Sequence, residues 1–486
     1  MIYKLRPYQE ECVKSISDYI NSDRHDPVLI VGPVGCGKSL LIAEAARLMG
    51  DKTLILQPSK ELLQQNHNKI TSYGIPATIY SASCGKKELS NMIYATLGSI
   101  KKVVGQLKEM GIRNVLIDEA HAGYSPEDGS EFMTFMNELK PKKVIGFTAT
   151  PCRLKTMSIG QVSYSQLNFI TRMRPVYFKN LIHVIQVEEM IRQGFWTPLK
   201  YETWDFNGDA LKLNSNGSEY TAESISEAVR KNGLNNLILR RLMVLKDVCR
   251  SILVFMDSVE SCNTAAEWMN AKICAGMAEA VHGGTPKKQR EAIVEGFKSG
   301  KTKVVFNYSA LGTGFDHPGL DCVIVGRPTF SFSSFYQWLG RAVRIKDGKD
   351  SALVVDCCNN SSRFGDIRKL SIENYKGYGW GMFIGDKLIT NIPMGDKVTK
   401  TDLDIKAAKK DRRRGLAQGV TAAPVPGRPD HPLGSTVMTF GKYCGWMFHS
   451  IPVSYFKFIN ETFDWDNDRN KDIKEYIDFL IKNNRL

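Results

Sequence analysis

Short hydrophobic runs, each followed by a stretch with helix-like spacing, recur along the first three quarters of the chain. The first series occupies residues 28–31, 53–56, 115–117 and 144–147, and the second occupies residues 252–256, 304–306, 322–325 and 352–355. Continuous runs of Val, Ile and Leu suit strands that are buried on both faces, and alternation with helices indicates parallel sheets. The pattern therefore predicts an α/β fold with two tandem parallel-sheet domains.

Changes in composition predict where these domains begin and end. The first domain is expected over residues 1–231, with an irregular connecting segment from about residue 151, and the second over residues 232–390. Residues 391–432 are rich in Lys, Arg and Pro, which predicts a linker without regular structure. The aromatic-rich residues 433–486 predict a small C-terminal domain.

The overall charge and the cysteines narrow the class of protein. The formal net charge of +14 favours a polyanionic partner such as nucleic acid. The 11 cysteines lack the paired spacing of a metal site, which predicts reduced thiols and no structural zinc. The hydrophobic runs are too short to span a membrane, so we expect a soluble cytoplasmic protein, with a monomer plausible and the oligomeric state open.

The segment GPVGCGKS at residues 32–39 follows the first predicted strand and precedes a predicted helix. Glycines in this position let backbone N–H groups wrap phosphate oxygens at a helix N-terminus. The glycines concerned are Gly32, Gly35 and Gly37. Lys38 is then expected to reach the β- and γ-phosphates, and Ser39 to supply a ligand of Mg²⁺. The segment predicts a site for ATP and Mg²⁺.

A second cluster of candidate residues follows the predicted strand at 115–117. Asp118 is expected to hold hydrated Mg²⁺, and Glu119 to polarise the attacking water. His121 completes the sequence DEAH. A third strand ends in Thr148 and Thr150, whose hydroxyl groups are expected to hydrogen-bond His121 and couple the phosphate site to the rest of the molecule.

The segment QWLGRAVR at residues 337–344 carries a second group of charged candidates. A helix over these residues would place Gln337, Arg341 and Arg344 on one face by i, i+3, i+4 spacing. Guanidinium groups stabilise the charge on a transferring phosphoryl group, so Arg344 is the first choice for an arginine finger and Arg341 the second. The alternative is a solvated basic face.

Taken together, these motifs resemble those of superfamily 2 helicases over most of residues 1–360. The segment LRPYQ at 5–9 resembles the adenine-recognition segment of the XPB-like branch, which implies that Arg6 and Gln9 lie near the base. Residues 309–316 (SALGTGFD) resemble motif V, which implies that Gly314 and Asp316 lie near the nucleotide. The resemblance implies two RecA-like domains with a cleft between them for ATP.

The same resemblance implies which residues touch nucleic acid. In the positions of the family's nucleic-acid motifs stand Ser59, Lys60, Thr96, His282 and Ser309. Near the C-terminus, the segment FGKYCG resembles a small domain of phage and bacterial proteins, in which Lys442 would contact phosphates. A small aromatic core with one exposed lysine is the alternative for that segment.

The motifs and the segment EEMIRQGFWTP at 188–198 resemble XPB-like and UvsW-like DNA helicases, and phage branch-migration helicases in particular. This resemblance implies an ATP-dependent DNA helicase or translocase that remodels forked or branched DNA in phage replication, recombination or repair. The alternatives are a duplex translocase that does not separate strands, an RNA helicase, and an ATP-gated nucleic-acid-binding switch.

Overall fold

The computed structural model describes residues 4–50, 52–159, 162–311, 315–394 and 396–407, and parts of the C-terminal region: 433, 436, 438, 443, 446–451, 453–462 and 471–483. It divides into two compact units. The first consists of Met1–Tyr375 and Gly379–Val398, and the second of Lys376–Tyr378 and Thr399–Leu486. Both predicted parallel sheets lie in the first unit.

The first half of the chain forms a sheet that is parallel except at one edge. Its strands and an adjoining hairpin are β1 Val28–Val31, β2 Thr53–Leu56, β3 Thr78–Ser81, β4 Lys86–Lys87, β5 Met92–Ala95, β6 Asn114–Ile117, β7 Lys143–Thr148, β8 Cys152–Ile159, β9 Val162–Phe169 and β10 Asn180–Val184. The order in the sheet is β10-β1-β7-β6-β2-β5-β3-β4, and only the short β4 runs antiparallel. The carboxyl ends of β1, β6 and β7 therefore meet at one edge.

Helices cover both faces of this sheet. They are α1 Pro7–Asn21, α2 Lys38–Met49, α3 Lys60–Ser72, α4 Leu97–Ile100, α5 Val104–Glu109, α6 Glu131–Leu139 and α7 Val187–Arg192. Helices α3 and α6 each begin after a serine that caps the helix N-terminus. The Ser59 side chain accepts a hydrogen bond from Leu62 N, and that of Ser130 accepts one from Met133 N. The central strands β1, β2, β5, β6 and β7 are buried at every position, as their continuous hydrophobic runs predict.

The hairpin β8–β9 lies outside the parallel sheet and follows Thr150 directly. It pairs antiparallel from Cys152 opposite Phe169 to Ile159 opposite Val162. Its base is held by Asn391, whose backbone N–H donates to the Leu167 carbonyl at 2.7 Å. The sequence predicted an irregular segment here, and the structure instead shows a regular hairpin.

The second half forms a fully parallel sheet. Its strands are β11 Leu199–Thr203, β12 Ile252–Phe255, β13 Ala278–His282, β14 Val304–Tyr308, β15 Cys322–Val325 and β16 Ala352–Asp356, in the order β11-β16-β15-β12-β14-β13. Its helices are α8 Ala222–Lys231, α9 Leu234–Val248, α10 Val259–Lys272, α11 Lys287–Ser299, α12 Phe332–Leu339 and α13 Asn360–Phe364. The predicted fold class, two tandem RecA-like α/β domains, is confirmed.

The chain crosses from the first sheet to the second between Val184 and Leu199. Residues 199–231, which the sequence predicted in the first domain, thus lie with the second sheet, and Ile225 of α8 packs in its core. The polar loop at 207–218 interrupts the hydrophobic pattern after β11, so the sequence does not connect this strand with the later ones.

The remaining elements follow the second sheet. The strands are β17 Leu370–Tyr375, β18 Gly379–Ile384, β19 Lys387–Leu388 and β20 Val398–Thr399, and β18 pairs antiparallel with both β17 and β19. Short 3₁₀ turns occur at Ala82–Cys84, Lys101–Val103, Ile170–Arg172, Ile367–Lys369 and Phe448–Ser450. In the second unit, helices Val453–Thr462 and Lys471–Lys482 enclose a small core around Phe448 and Ile477.

No helix in the described ranges combines the length and the apolar composition that a bilayer span requires.

Candidate nucleotide site

The phosphate loop joins β1 to α2, and its glycines pack closely against neighbouring side chains. Its residue Gly37 adopts φ +82°, and a Cβ there would lie 2.6 Å from Gln9 Nε2. A Cβ at Gly32 would lie 2.6 Å from Cys36 Sγ. The tight turn and these close approaches explain why glycine is required, and they direct the first N–H groups of α2 towards the space above the loop.

Lys38, at the start of α2, faces the two acidic residues that follow β6. Its Nζ lies 3.5 Å from Glu119 Oε1. Burial lowers the pKa of Lys38, but the neighbouring carboxylates outweigh burial and raise it, so the side chain stays charged at neutral pH. Asp118 is held by Asn66, whose Nδ2 donates to Asp118 Oδ2 at 2.9 Å. Burial, and then the charge of Glu119, raise the pKa of Asp118.

These residues fit a magnesium ion. The buried carboxylate of Asp118 and the partly buried one of Glu119 share the cavity with Lys38 and the hydroxyl of Ser39, which favours a cation. Among the described residues, no group of three or more His, Cys, Asp and Glu side chains is placed to hold a metal by itself. Mg²⁺ typically takes one or two protein ligands together with phosphate oxygens and water, so Ser39 and Asp118 suffice on the protein side.

Glu119 lies in a strained turn that other residues hold in place. Its φ is +46°, in the left-handed region that residues other than glycine rarely adopt. Arg153 spans the turn from β8: its Nε donates to the His121 carbonyl at 2.7 Å, and its NH2 donates to the carbonyls of Tyr124 at 2.6 Å and Ala120 at 3.3 Å. The arginine thus fixes the backbone that presents Glu119.

His121 connects the two domains through a chain of hydroxyl groups. Its Nδ1 lies 2.8 Å from Thr148 Oγ1 and 3.4 Å from Glu119 Oε2. Its Nε2 lies 3.2 Å from the hydroxyl of Ser333 on α12, and that hydroxyl lies 3.1 Å from Thr150 Oγ1. Burial lowers the pKa of His121, so the ring is neutral at physiological pH. The expected contact of His121 with Thr148 is direct, and its connection to Thr150 runs through Ser333.

The helix predicted over residues 337–344 is shorter than expected. Helix α12 ends at Leu339, and Arg341 and Arg344 lie in the turn and extended segment that follow. A Cβ at Gly340 would lie 2.6 Å from Val34 Cβ, so the segment leaves the helix where it meets the phosphate loop. The predicted shared helical face is therefore wrong, although tertiary packing brings the same side chains together.

Arg341, Arg344 and Gln337 line one cavity of about 120 Å³ with Lys38, Ser39, Asp118 and Glu119. The NH1 atoms of both arginines donate to the Phe315 carbonyl, at 2.6 Å from Arg341 and 3.3 Å from Arg344. Arg344 also pairs with Asp316. Burial lowers the pKa of each arginine to about 10, which leaves both positively charged at neutral pH. Two cations from the second domain thus face the phosphate loop of the first.

A second cavity of about 680 Å³ adjoins the first and shares Gly35, Ser39, Gln65 and Arg344 with it. Arg6, Gln9, Phe195 and Asp316 also line the second cavity. The Arg6 guanidinium lies 4.5 Å above the Phe195 ring, and Gln9 Nε2 donates to the Cys36 carbonyl at 2.8 Å. The predicted adenine-side residues therefore lie next to the phosphate cavity.

The candidate nucleic-acid residues fall into two groups at strand ends. Ser59 and Lys60 follow β2 and Thr96 follows β5, and these strands are neighbours, so the three residues share one edge of the first sheet. His282 ends β13 and Ser309 follows β14, which are neighbours in the second sheet. Gly314 and Lys442 lie outside the described residues.

Four residues at the site carried no recognisable sequence signal. They are Asn66, which holds Asp118, Arg153, which spans the acidic turn, Ser333, which bridges the domains, and Thr197, which contacts the arginine segment. Each contacts its target across a long sequence separation. Only Arg153 follows a motif closely, three residues after Thr150.

Comparison with known proteins agrees with this geometry. Residues 2–153 match the family model described as Type III restriction enzyme, res subunit, and residues 235–346 match the Helicase conserved C-terminal domain, together more than half of the chain. A 51.5 kDa protein of a Lactococcus phage (isolate 7-9) is 25% identical over 332 residues, which cover 68% of this chain and 65% of the relative. The putative ATP-dependent helicase IRC3 of Saccharomyces cerevisiae is 24% identical over 279 residues, 57% of this chain and 38% of the relative.

Among solved structures, the ATP-dependent Type ISP restriction-modification enzyme LlaBIII bound to DNA matches with a TM-score of 0.54 at 14% identity, over 86% of this chain and 30% of that one. The chain thus spans less than two thirds of the length of each of these three proteins. Each of the two RecA-like domains thus matches a family model of its own, and the model that matches the second is a helicase domain. The chain belongs to superfamily 2 of the helicases, and a phage protein is among the relatives that it matches.

Proposed function

We propose that this protein hydrolyses ATP with Mg²⁺ to drive movement on DNA, and that it remodels forked or branched DNA by branch migration. The observation that carries the proposal is the cavity of about 120 Å³ lined by residues of both domains. Because Lys38 and Arg341 come from different domains, binding of the triphosphate between them favours a closed cleft, and hydrolysis weakens that closure. Hydrolysis of ATP would thus drive the opening and closing of the two domains.

The proposed hydrolysis assigns a task to each residue that lines the cavity. Lys38 and the N–H groups at the start of α2 bind the β- and γ-phosphates, and Ser39 and Asp118 hold Mg²⁺, which would neutralise phosphate charge. Glu119 orients the attacking water and receives its proton. Arg341 and Arg344 stabilise the charge that develops on the transferring group, an effect worth roughly 10³- to 10⁵-fold where an arginine finger acts.

DNA is the proposed partner because charge and residue placement agree. The chain carries a formal net charge of +14, and neutralised phosphates supply most of the affinity of such proteins. Lys60 at the first sheet's edge and His282 at the second's lie on separate domains. A strand contacted by both groups would be moved when the cleft opens and closes. We place this activity in phage DNA replication, recombination or repair, in the host cytoplasm.

The test is to measure ATP hydrolysis and strand separation in parallel on single strands, blunt duplex, forks, four-way junctions and RNA, each at two salt concentrations. We expect ATP-dependent junction dissociation and fork unwinding, both abolished in Lys38→Ala. Lys231→Ala is the matched control because its ammonium group pairs with Glu227 on the surface of α8, away from the cavity.

The outcomes separate the alternatives. DNA-stimulated hydrolysis with triplex displacement but no strand separation indicates a duplex translocase. Stimulation by RNA alone indicates an RNA helicase. Nucleotide-dependent DNA binding without sustained phosphate release indicates a switch. Each of these results would contradict branch migration.

A further inference from the structure

The chain passes between its two sheets through three consecutive residues, Phe195–Thr197. Helix α7 ends just before them, and Gly194 takes φ +73°, which lets Phe195 N donate back to the Met190 carbonyl at 2.8 Å. This closure turns the chain sharply, and β11 of the second sheet begins at Leu199. The crossing is therefore a fixed turn.

Each of the three residues contacts a different part of the nucleotide site. Phe195 lies under Arg6 at the end of the larger cavity. Trp196 Nε1 donates to the Val34 carbonyl of the phosphate loop at 2.8 Å. Thr197 bonds the arginine segment twice: its backbone N donates to the Val343 carbonyl at 2.8 Å, and its hydroxyl donates to the Arg344 carbonyl at 2.7 Å.

The residues that make these contacts are buried and pack closely against one another. Trp196 and Thr197 are each only 2% exposed. A Cβ at Gly35 would lie 3.5 Å from Trp196 Nε1 and 3.3 Å from Val343 Cγ2, so the tip of the phosphate loop touches both. Because packed interiors deform little, a shift of Phe195 is passed to its neighbours.

The arginine segment depends on such support. Arg341 and Arg344 lie beyond the end of α12, so helical hydrogen bonds do not fix their backbone. Instead, the Arg344 carbonyl accepts hydrogen bonds from the Thr197 hydroxyl and from Lys349 Nζ, the latter at 2.8 Å. Thr197 supplies this support from the crossing segment, next to the base end of the site, whereas Lys349 supplies it from within the second domain.

We propose that Phe195–Thr197 is a positioning segment that transmits occupancy of the base cavity to the arginine pair. A purine that binds against Arg6 and Phe195 fixes the segment, and Thr197 then fixes the backbone of Arg344 for hydrolysis. The proposal rests on the proposed ATPase function and extends it: the hydrolysis rate, and not only binding, depends on the base. Adenosine triphosphate is therefore turned over faster than a pyrimidine triphosphate at saturation.

The first experiment compares kcat and KM for ATP and UTP, with DNA saturating, in the full-length protein. For the wild type we expect kcat to be at least tenfold higher with ATP. Thr197→Val removes the hydroxyl but keeps the shape, and we expect its kcat for ATP to fall to within about threefold of the UTP value while kcat for UTP stays nearly constant. Thr197→Ser restores the donor and should restore the ratio.

Lys349→Met is the control because it removes the other hydrogen bond to the Arg344 carbonyl, together with those that Lys349 Nζ donates to the carbonyls of Ala342 and Pro318 within the second domain. It should lower kcat for both nucleotides by the same factor and leave their ratio unchanged. Equal wild-type kcat values for ATP and UTP would overturn the proposal, as would a Thr197→Val variant that slows both equally or changes KM alone. Wild-type protein that hydrolyses no nucleotide refutes the proposed ATPase function instead.

A second measurement needs no hydrolysis. The fluorescence of Trp196, obtained as the difference between the wild type and Trp196→Phe, is recorded during titration with ADP and with pyrophosphate. ADP should change the difference signal more than pyrophosphate does, because pyrophosphate reaches Trp196 only through the phosphate loop, whereas ADP also occupies the base cavity beside Phe195. Equal changes with both, or no change with ADP, would contradict transmission through this segment.

Discussion

Replacing Ser333 with alanine tests whether the domains communicate through a single hydroxyl group. This hydroxyl lies 3.2 Å from His121 Nε2 and 3.1 Å from Thr150 Oγ1, and it is the point where α12 of the second domain contacts the DEAH and Thr-Ala-Thr motifs of the first. Ser333→Ala removes both contacts and leaves the helix N-cap at Ser331 in place.

The expected magnitude follows from those two contacts. A hydrogen bond between neutral groups contributes about 1 kcal/mol net, so the closed cleft loses about 2 kcal/mol. If closure precedes hydrolysis, this corresponds to a loss of about 30-fold in nucleic-acid-stimulated kcat. The KM for ATP should change less than about threefold, since the phosphate loop and base cavity are untouched.

The assay is steady-state ATP hydrolysis with saturating fork DNA. Ser334→Ala is the matched control, because that hydroxyl lies 3.1 Å from Ser331 Oγ and has no contact with His121. The control should stay within about twofold of the wild type. If Ser333→Ala also retains kcat within twofold, the bridge has no part in closure and the reasoning is wrong.

Three further predictions concern other parts of the same unit. Arg153→Met removes three hydrogen bonds to the DEAH turn and should lower both Tm and kcat, the latter at least tenfold, in calorimetry and ATPase assays. Gly340→Ala places a Cβ 2.6 Å from Val34 Cβ and should lower kcat more than tenfold with a smaller effect on Tm, because the clash lies between the domains and is relieved when the arginine segment moves away from the phosphate loop. Burial lowers the pKa of His317 to about 4, so protonation opposes folding, and stability should fall by up to about 3 kcal/mol between pH 6.5 and pH 4. In His317→Asn this loss should be smaller in urea titrations.

Each of these predictions has a result that contradicts it. For Arg153→Met, an unchanged kcat would show that the turn holds Glu119 without the arginine. For Gly340→Ala, a Tm loss as large as the activity loss would show that the close contact also serves folding. For His317, equal pH dependence in both proteins would place the acid sensitivity at other groups that titrate in this range.

Sequence predicted the parallel sheets well because their strands are buried on both faces and therefore appear as continuous hydrophobic runs. The strands Thr53–Leu56 and Cys322–Val325 lie at their predicted positions. The hairpin β8–β9 was missed because it lies at the periphery, where polar residues such as Lys155 and Gln166 hide the alternation of half-buried strands.

The residues that line the site could be predicted from the sequence, but the residues that hold them in position could not. Lys38, Asp118 and Arg341 belong to local motifs whose spacing carries the information. Thr197 and Ser333 act on residues more than a hundred positions away, and a lone hydroxyl gives no local signal. The end of α12 was mispredicted because helical spacing continued to Arg344, whereas contact of Gly340 with Val34 ends the helix earlier.

The left-handed backbone of Glu119 has a consequence for how this fold tolerates change. A residue with a side chain at φ +46° costs about 1 to 3 kcal/mol relative to one that adopts this conformation freely. Glycine at this position should therefore make the protein more heat-resistant and, at the same time, remove the carboxylate proposed to activate water. Selection for thermostability alone would therefore favour glycine at position 119 and yield an inactive enzyme, whereas a screen that also requires ATP turnover would retain glutamate.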